Sequence, residues 1–118
     1  MVREGEDMTC YIQVVTTTDS REAAEAIAAA VLAARLAACV QISQCQSWFH
    51  WQGKVEQTAE FRCTMKSRED LYGELEEEIR RHHPYQVPEI LASAVSAGAA
   101  SYLAWLDQEL RPGKESNP

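Results

Sequence analysis

No CxxC pair occurs among the four cysteines, Cys10, Cys39, Cys45 and Cys63, so their spacing excludes zinc ribbons and thioredoxin-type redox sites. No stripe of Lys or Arg stands out either. Lys+Arg total 11 against 18 Asp+Glu, a net charge of −7 that repels a phosphate backbone and argues against nucleic-acid binding. The five glycines are scattered, which leaves no Gly-rich phosphate loop and no expectation of a nucleotide. No run reaches the roughly 18–20 apolar residues of a membrane helix. The longest candidate, AAEAIAAAVLAARLAACV, is interrupted by Glu25 and Arg35. The opening MVREGEDMT lacks the apolar segment of a signal peptide, so a cytoplasmic location is expected, with free thiols most of which are buried as small hydrophobes. Internal repeats and low-complexity linkers are absent.

What is present fits one domain. A chain of 118 residues buries about two-thirds of its unfolded surface and folds without a metal or disulfide. Residues 1–8 and 111–118 read as polar tails around a domain at 9–110. TCYIQVVT, residues 9–16, reads as a first strand. A capping box at Asp19 and Glu22 then opens an Ala-rich helix running to about Leu36, with Ala24, Ile27, Val31 and Ala34 on one face. In the second strand, ACVQISQCQSWFHWQ, the apolar alternation slips near Cys45, which predicts a bulge or bend.

Gly53 marks a turn, and KVEQTAEFRCTMK returns as the third strand, completing a long hairpin. Ser67 and Asp70 read as the start of a second helix with the stripe Leu71, Leu75, Ile79, which Pro84 terminates. EILASAVSA is a fourth strand, and SYLAWLDQEL a last helix capped by Ser101. The order β-α-β-β-α-β plus a C-terminal helix is that of an α+β, ferredoxin-like fold.

Such a sheet has one face covered by its own helices. The imperfect alternation in the second and fourth strands hints that the other face is buried too, which requires a partner. Trp48, Phe49 and Trp51 crowd the hairpin tip, and Trp105 lies in the last helix. Aromatics on a projecting hairpin suit interface anchors, and a symmetric homo-oligomer is the simplest partner.

RLAACVQI, WFHWQGKVEQ, HHPYQVPEI and YLAWL, in that order across about residues 10–107, resemble the CutA divalent-ion tolerance proteins. The resemblance implies a ferredoxin-like domain that forms a tight homotrimer through its long hairpins, an architecture similar to the trimeric PII signalling proteins. It implies no reaction, so a non-enzyme is expected. It also implies tolerance of copper and other divalent cations, with the residues proposed to touch copper falling on Cys39 and His83. A cysteine that some members carry at the end of the first strand is Thr17 here.

Thiolate suits Cu(I) and imidazole Cu(II), but two ligands do not fill a coordination sphere. His82, Cys45, Cys63, Glu89 or a neighbouring subunit would have to complete it; no cofactor is required for folding. Each candidate also has a plain reading: Cys39 as a core residue, and His83 as a histidinium on the helix dipole. Tyr85 covers a cleft or packs on the helix, and Glu89 pairs with Lys66 or serves as an oxygen ligand. Tyr85 and Lys66 join the hairpin aromatics as candidates for the inter-subunit cleft.

Two alternatives remain. One is a PII-like effector-binding or scaffold trimer, with Lys66, Arg68 or Arg81 facing a small anion. The other is a nucleophile pair of Cys39 or Cys63 with His83, oriented by Glu89; the absence of a nucleophile elbow speaks against it.

Overall fold

The computed structural model describes residues 9–113. Its elements are β1 (Tyr11–Thr18), α1 (Arg21–Ala33), β2 (Cys39–Trp51), β3 (Lys54–Arg68), a 3-10 turn (Glu69–Leu71), α2 (Tyr72–His82), β4 (Ile90–Ala94) and α3 (Ala100–Glu109). The four strands form one sheet in the order β2-β3-β1-β4, with every neighbouring pair antiparallel. The fold is α+β, with the element order read from the sequence. Of the polar tails expected at 1–8 and 111–118, residues 1–8 and 114–118 lie outside the described residues.

Pleat parity divides the sheet cleanly. Ile12 and Val14 of β1, Cys63 and Met65 of β3, and Val40 and Ile42 of β2 face Ala24, Ile27 and Val31 of α1 and Leu75 and Ile79 of α2. Both helices thus cover one face, and alanines in α1 let its backbone come close to the strands. On the other face stand Gln13, Val15 and Thr17 of β1, Cys39 and Gln41 of β2, Lys66 of β3 and Leu91 of β4. Neither α1 nor α2 covers them.

The hairpin outruns the rest of the sheet. β1 ends where Thr18 meets Phe61, so residues 45–51 and 54–60 continue as a two-stranded ribbon with no third strand. The bulge expected near Cys45 does not occur: pairing runs unbroken from Cys39↔Lys66 to Trp51↔Lys54. The sequence pattern slips there because the strand leaves the helices behind, and the apolar period loses the core that imposed it.

The ribbon turns through Gln52 and Gly53, both at positive φ (50° and 80°), the backbone of a two-residue type I′ turn. Gly53 adopts it without strain, whereas Gln52 carries a Cβ into the left-handed region. Gln52→Asn is therefore expected to raise the unfolding free energy by about 0.5–1 kcal/mol, read as a higher urea midpoint at unchanged slope.

Several helix ends differ from the sequence reading. Ser20, not Asp19, caps α1, its Oγ accepting from the Ala23 amide at 3.1 Å. Ser67 belongs to β3; its buried hydroxyl donates to the Leu36 carbonyl at 2.6 Å, because a hydroxyl facing the core must find an acceptor there. Asp70, freed from capping, accepts from Arg68 instead. α3 starts after Ala99 with no side-chain cap, and Ser101 lies inside it.

α1 ends at Ala33 in a Schellman turn: Leu36 N–H donates to Val31 O and Arg35 N–H to Leu32 O, both at 3.0 Å, with Arg35 at φ 55°. That conformation ordinarily selects glycine. Here the chain end holds it, since the Arg35 guanidinium donates to Glu109 O at 2.7 Å and Arg111 N–H donates to Arg35 O at 2.9 Å. The Arg111 side chain reaches Ala34 O and Glu74 as well, while its carbonyl accepts from Arg68.

Candidate functional site

The stretch after α2 is where the sequence placed its chemistry. Pro84 has no amide hydrogen to extend the helix, and His83, the C-cap, has already turned extended (φ −90°, ψ 134°). Its ring therefore points away from the helix carbonyls and toward the end of β1. Nε2 lies 2.9 Å from the Thr17 carbonyl and 3.0 Å from Thr16 Oγ1, while Nδ1 accepts the Tyr85 amide at 3.1 Å. A carbonyl oxygen can only accept and an amide N–H can only donate. These contacts require the neutral tautomer with its proton on Nε2. The expected histidinium on the helix dipole is replaced by a neutral ring bonded to β1.

Two residues on, Tyr85 packs against the His83 ring, with centroids 5.0 Å apart, and its hydroxyl donates to Glu60 Oε2 at 2.5 Å. The Ser47 hydroxyl donates to Glu60 Oε1 at 2.6 Å. Glu60 is buried, yet both of its oxygens are satisfied. Burial, and then the Glu60 carboxylate, push the Tyr85 phenol up, so it remains a donor at neutral pH. Within the chain, Tyr85 crosses the end of β1 to reach the base of the ribbon. Glu60, Ser47 and Thr16 were not singled out from the sequence. Nothing local marks them, because they converge only when β2, β3 and the loop after α2 come together.

Burial also lowers the pKa of His83 from its ordinary 6.5. The Thr17 carbonyl, Asp19 and Glu60 oppose that effect, and Arg80 adds to it. Between the two values the unfolded chain binds more protons than the folded one. The neutral ring's contribution to stability is therefore complete above the ordinary value and is lost as pH falls through it. Urea unfolding at about pH 7.5 and about pH 5.5 should show lower stability at the acid value, with a smaller difference in His83→Asn.

The remaining candidates lie apart. Cys39 opens β2 on the face away from the helices, half-exposed and opposite Lys66; it is not a core residue. Lys66 faces Gln13, whereas His83 holds the Thr16–Thr17 end of β1. Three to four residues and two strand spacings separate Cys39 from His83, on the order of 15 Å. Lys66 donates to Gln41 at 3.1 Å and does not meet Glu89, which is exposed and accepts from Thr17 Oγ1 at 3.5 Å. The register sets this, because β1 places Lys66 and Glu89 four residues apart and on opposite sides of itself.

His82 points to solvent, its Nε2 3.2 Å from Glu78 one helical turn back. Cys45 is half-buried beside Ser47. Of the basic candidates, Arg68 is paired with Asp70 and Asp107, and Arg81 with Glu78.

Only Cys63 is a buried thiol. It sits in the core, and burial pushes it up to about 11, which removes it as a nucleophile at neutral pH.

These residues do not fit a copper ion within one subunit. Both His83 nitrogens are engaged, and among the described residues no group of three or more His, Cys, Asp or Glu side chains stands close enough to hold a metal ion.

The aromatic hairpin is exposed as expected, but the pleat splits it. Phe49 and Trp51 (40% and 56% exposed) lie on the face that the helices leave open, and Trp48 (69%) lies on the opposite one. Trp105, 40% exposed on α3, packs on Tyr102 with centroids 5.6 Å apart. No helix among the described residues is long and apolar enough to cross a membrane.

Comparison with known proteins agrees with this architecture. Residues 12–109 match the family model described as "CutA1 divalent ion tolerance protein". The Divalent-cation tolerance protein CutA of Pyrococcus horikoshii is 38% identical over 100 residues, covering 85% of this chain and 98% of that protein. Its counterpart from an Escherichia coli strain is 38% identical over 112 residues, covering 94% and 100%. The crystal structure of CutA1 from Oryza sativa superposes with a TM-score of 0.84 at 36% identity, over 86% of this chain and 94% of that one. The family is named for a tolerance rather than a reaction. By sequence along nearly its whole domain and by fold, this chain belongs to the CutA1 divalent ion tolerance family.

Proposed function

We propose that this chain serves divalent-cation tolerance in the cytoplasm as a homotrimer of ferredoxin-like domains, binding copper by preference between subunits. The observation that carries the reading is the incompleteness of the single chain. An unsupported two-stranded ribbon is marginal in water. This one ends in exposed Phe49 and Trp51 on the same face as Leu91 (63% exposed). Such a surface calls for burial against copies of itself. The strand order β2-β3-β1-β4 supports the ferredoxin-like reading. The family's name supplies the cation.

Among the candidates read from the sequence, the Cys39 thiol and the His82 imidazole suit a soft or borderline cation, the Glu89 carboxylate adds a hard oxygen, and all three keep some accessible surface. One subunit keeps them apart, so a site built from them needs a second subunit. Calorimetric titration with Cu(II) and with Zn(II) tests this on the parent, Cys39→Ala and His82→Ala, with the mass of each checked by light scattering. The expected result is binding that weakens about tenfold or more in Cys39→Ala at unchanged mass. Weak binding that no substitution alters would remove copper from the reading and favour a small effector held by the assembly.

A further inference from the structure

We infer that His83 is not a metal ligand in this protein but the lock that fixes the loop 83–89 across the end of β1. A ligand must offer a ring nitrogen with a free lone pair. The Nδ1 lone pair is taken by the Tyr85 amide, and Nε2 carries the proton that bonds Thr17 O. Coordination through either nitrogen breaks one of these bonds.

The geometry is that of a purpose-built turn. A side-chain acceptor on residue 83 receives the amide of residue 85, the two-residue reach that an Asn or Asp side chain makes in an Asx turn. The imidazole does this and, with its opposite edge, reaches a strand 66 residues away in the chain. No shorter acceptor makes both contacts.

Further bonds complete the lock. The Tyr85 hydroxyl enters the Glu60–Ser47 pair, and the Glu89 carboxylate meets Thr17 Oγ1. The loop is thereby tied down at its start, at Tyr85 and at its end, while Val87 between them stands 86% exposed. The Tyr85 amide bond is the element a metal at Nδ1 would sacrifice first, because the lone pair it uses is the only one the ring has. The inference concerns His83, which the proposed copper site does not use; Glu89 alone belongs to both.

Nitrogen-resolved NMR of the imidazoles in the intact protein, before and after Zn(II) alone, is the direct test. Expected for His83 is a neutral ring protonated at Nε2, unchanged by the metal even where other groups respond. Hydrogen exchange supplies a second readout. The Tyr85 amide should exchange about tenfold faster or more in His83→Ala, and His83→Asn, which keeps the two-residue turn, should restore much of its protection.

A His83 nitrogen that moves to a metal-bound shift on adding Zn(II) overturns the inference. Equal Tyr85 exchange in parent and His83→Ala overturns it as well. Should His83→Ala fail to fold, the parent's spectrum and the Asn variant still decide. Should Zn(II) bind nowhere, the proposed function is left with copper alone, while the tautomer and exchange results retain their meaning for His83.

Discussion

Placing aspartate at both Phe49 and Trp51 is expected to reduce the proposed trimer to single chains, seen as a threefold drop in mass by light scattering. The two side chains sit on the open face of the ribbon, opposite Glu56 and Lys54. They are 40% and 56% exposed, so they contribute little to the packing of their own chain. In an assembly the same rings are the anchors. Truncating an interface aromatic of this kind typically costs about 2 kcal/mol or more, and burying an unpaired carboxylate in its place adds to that. The change should leave far-UV circular dichroism intact, because the core lies between the other sheet face and the helices. Leu32→Asp, an exposed position on α1, serves as the control and should leave the mass unchanged. A double variant that keeps the parental mass would move the interface away from the ribbon's open face.

Leu75→Ala carries the second large effect, a loss of about 2–5 kcal/mol of unfolding free energy. Leu75 is fully buried on α2, flanked one turn each way by Leu71 and Ile79, which are fully buried too. Truncation therefore removes apolar surface from the core cluster that Leu75 shares with Ile27 and Val31 of α1 and with the strands. Helices tied to strands on one side and to each other on the other cannot close the gap by moving, so the cavity term should persist. Thermal unfolding should fall by on the order of 10 °C. Since assembly stabilises the folded chain by mass action, the comparison belongs at one protein concentration. A loss under about 1 kcal/mol would mean that the core can collapse onto the cavity.

The two effects differ in how far the sequence anticipates them. Leu71, Leu75 and Ile79 recur at helical spacing, and β1 alternates buried and half-buried positions from Tyr11 to Thr16. Periodicity of this sort is imposed by one element lying on one surface, so it is legible in a short window. The termination of α2 is legible for the same reason, since Pro84 forbids continuation whatever surrounds it. Exposure of the aromatic hairpin is also foreseeable, but its division into Phe49 and Trp51 on one face and Trp48 on the other needs the register. The expected bulge at Cys45 shows how that reading fails. A slip in the apolar pattern records where a strand's environment changes, and here the environment changed while the pairing did not.

By itself the sequence determined the element order, the core stripes, the α+β class and the family. Each of these rests on local pattern, or on motifs read in order. Only the tertiary structure decided what the polar residues do. His83 bonds β1 across 66 residues, and Arg111 reaches the end of α1 across 77. Ser67 spends its hydroxyl on Leu36, and Tyr85 and Ser47 converge on Glu60. Cys39 and His83, close in chemistry, fall at different ends of the sheet. Buried polar groups must pair wherever the chain brings a partner, and that partner is chosen by strand order and register rather than by neighbours in sequence.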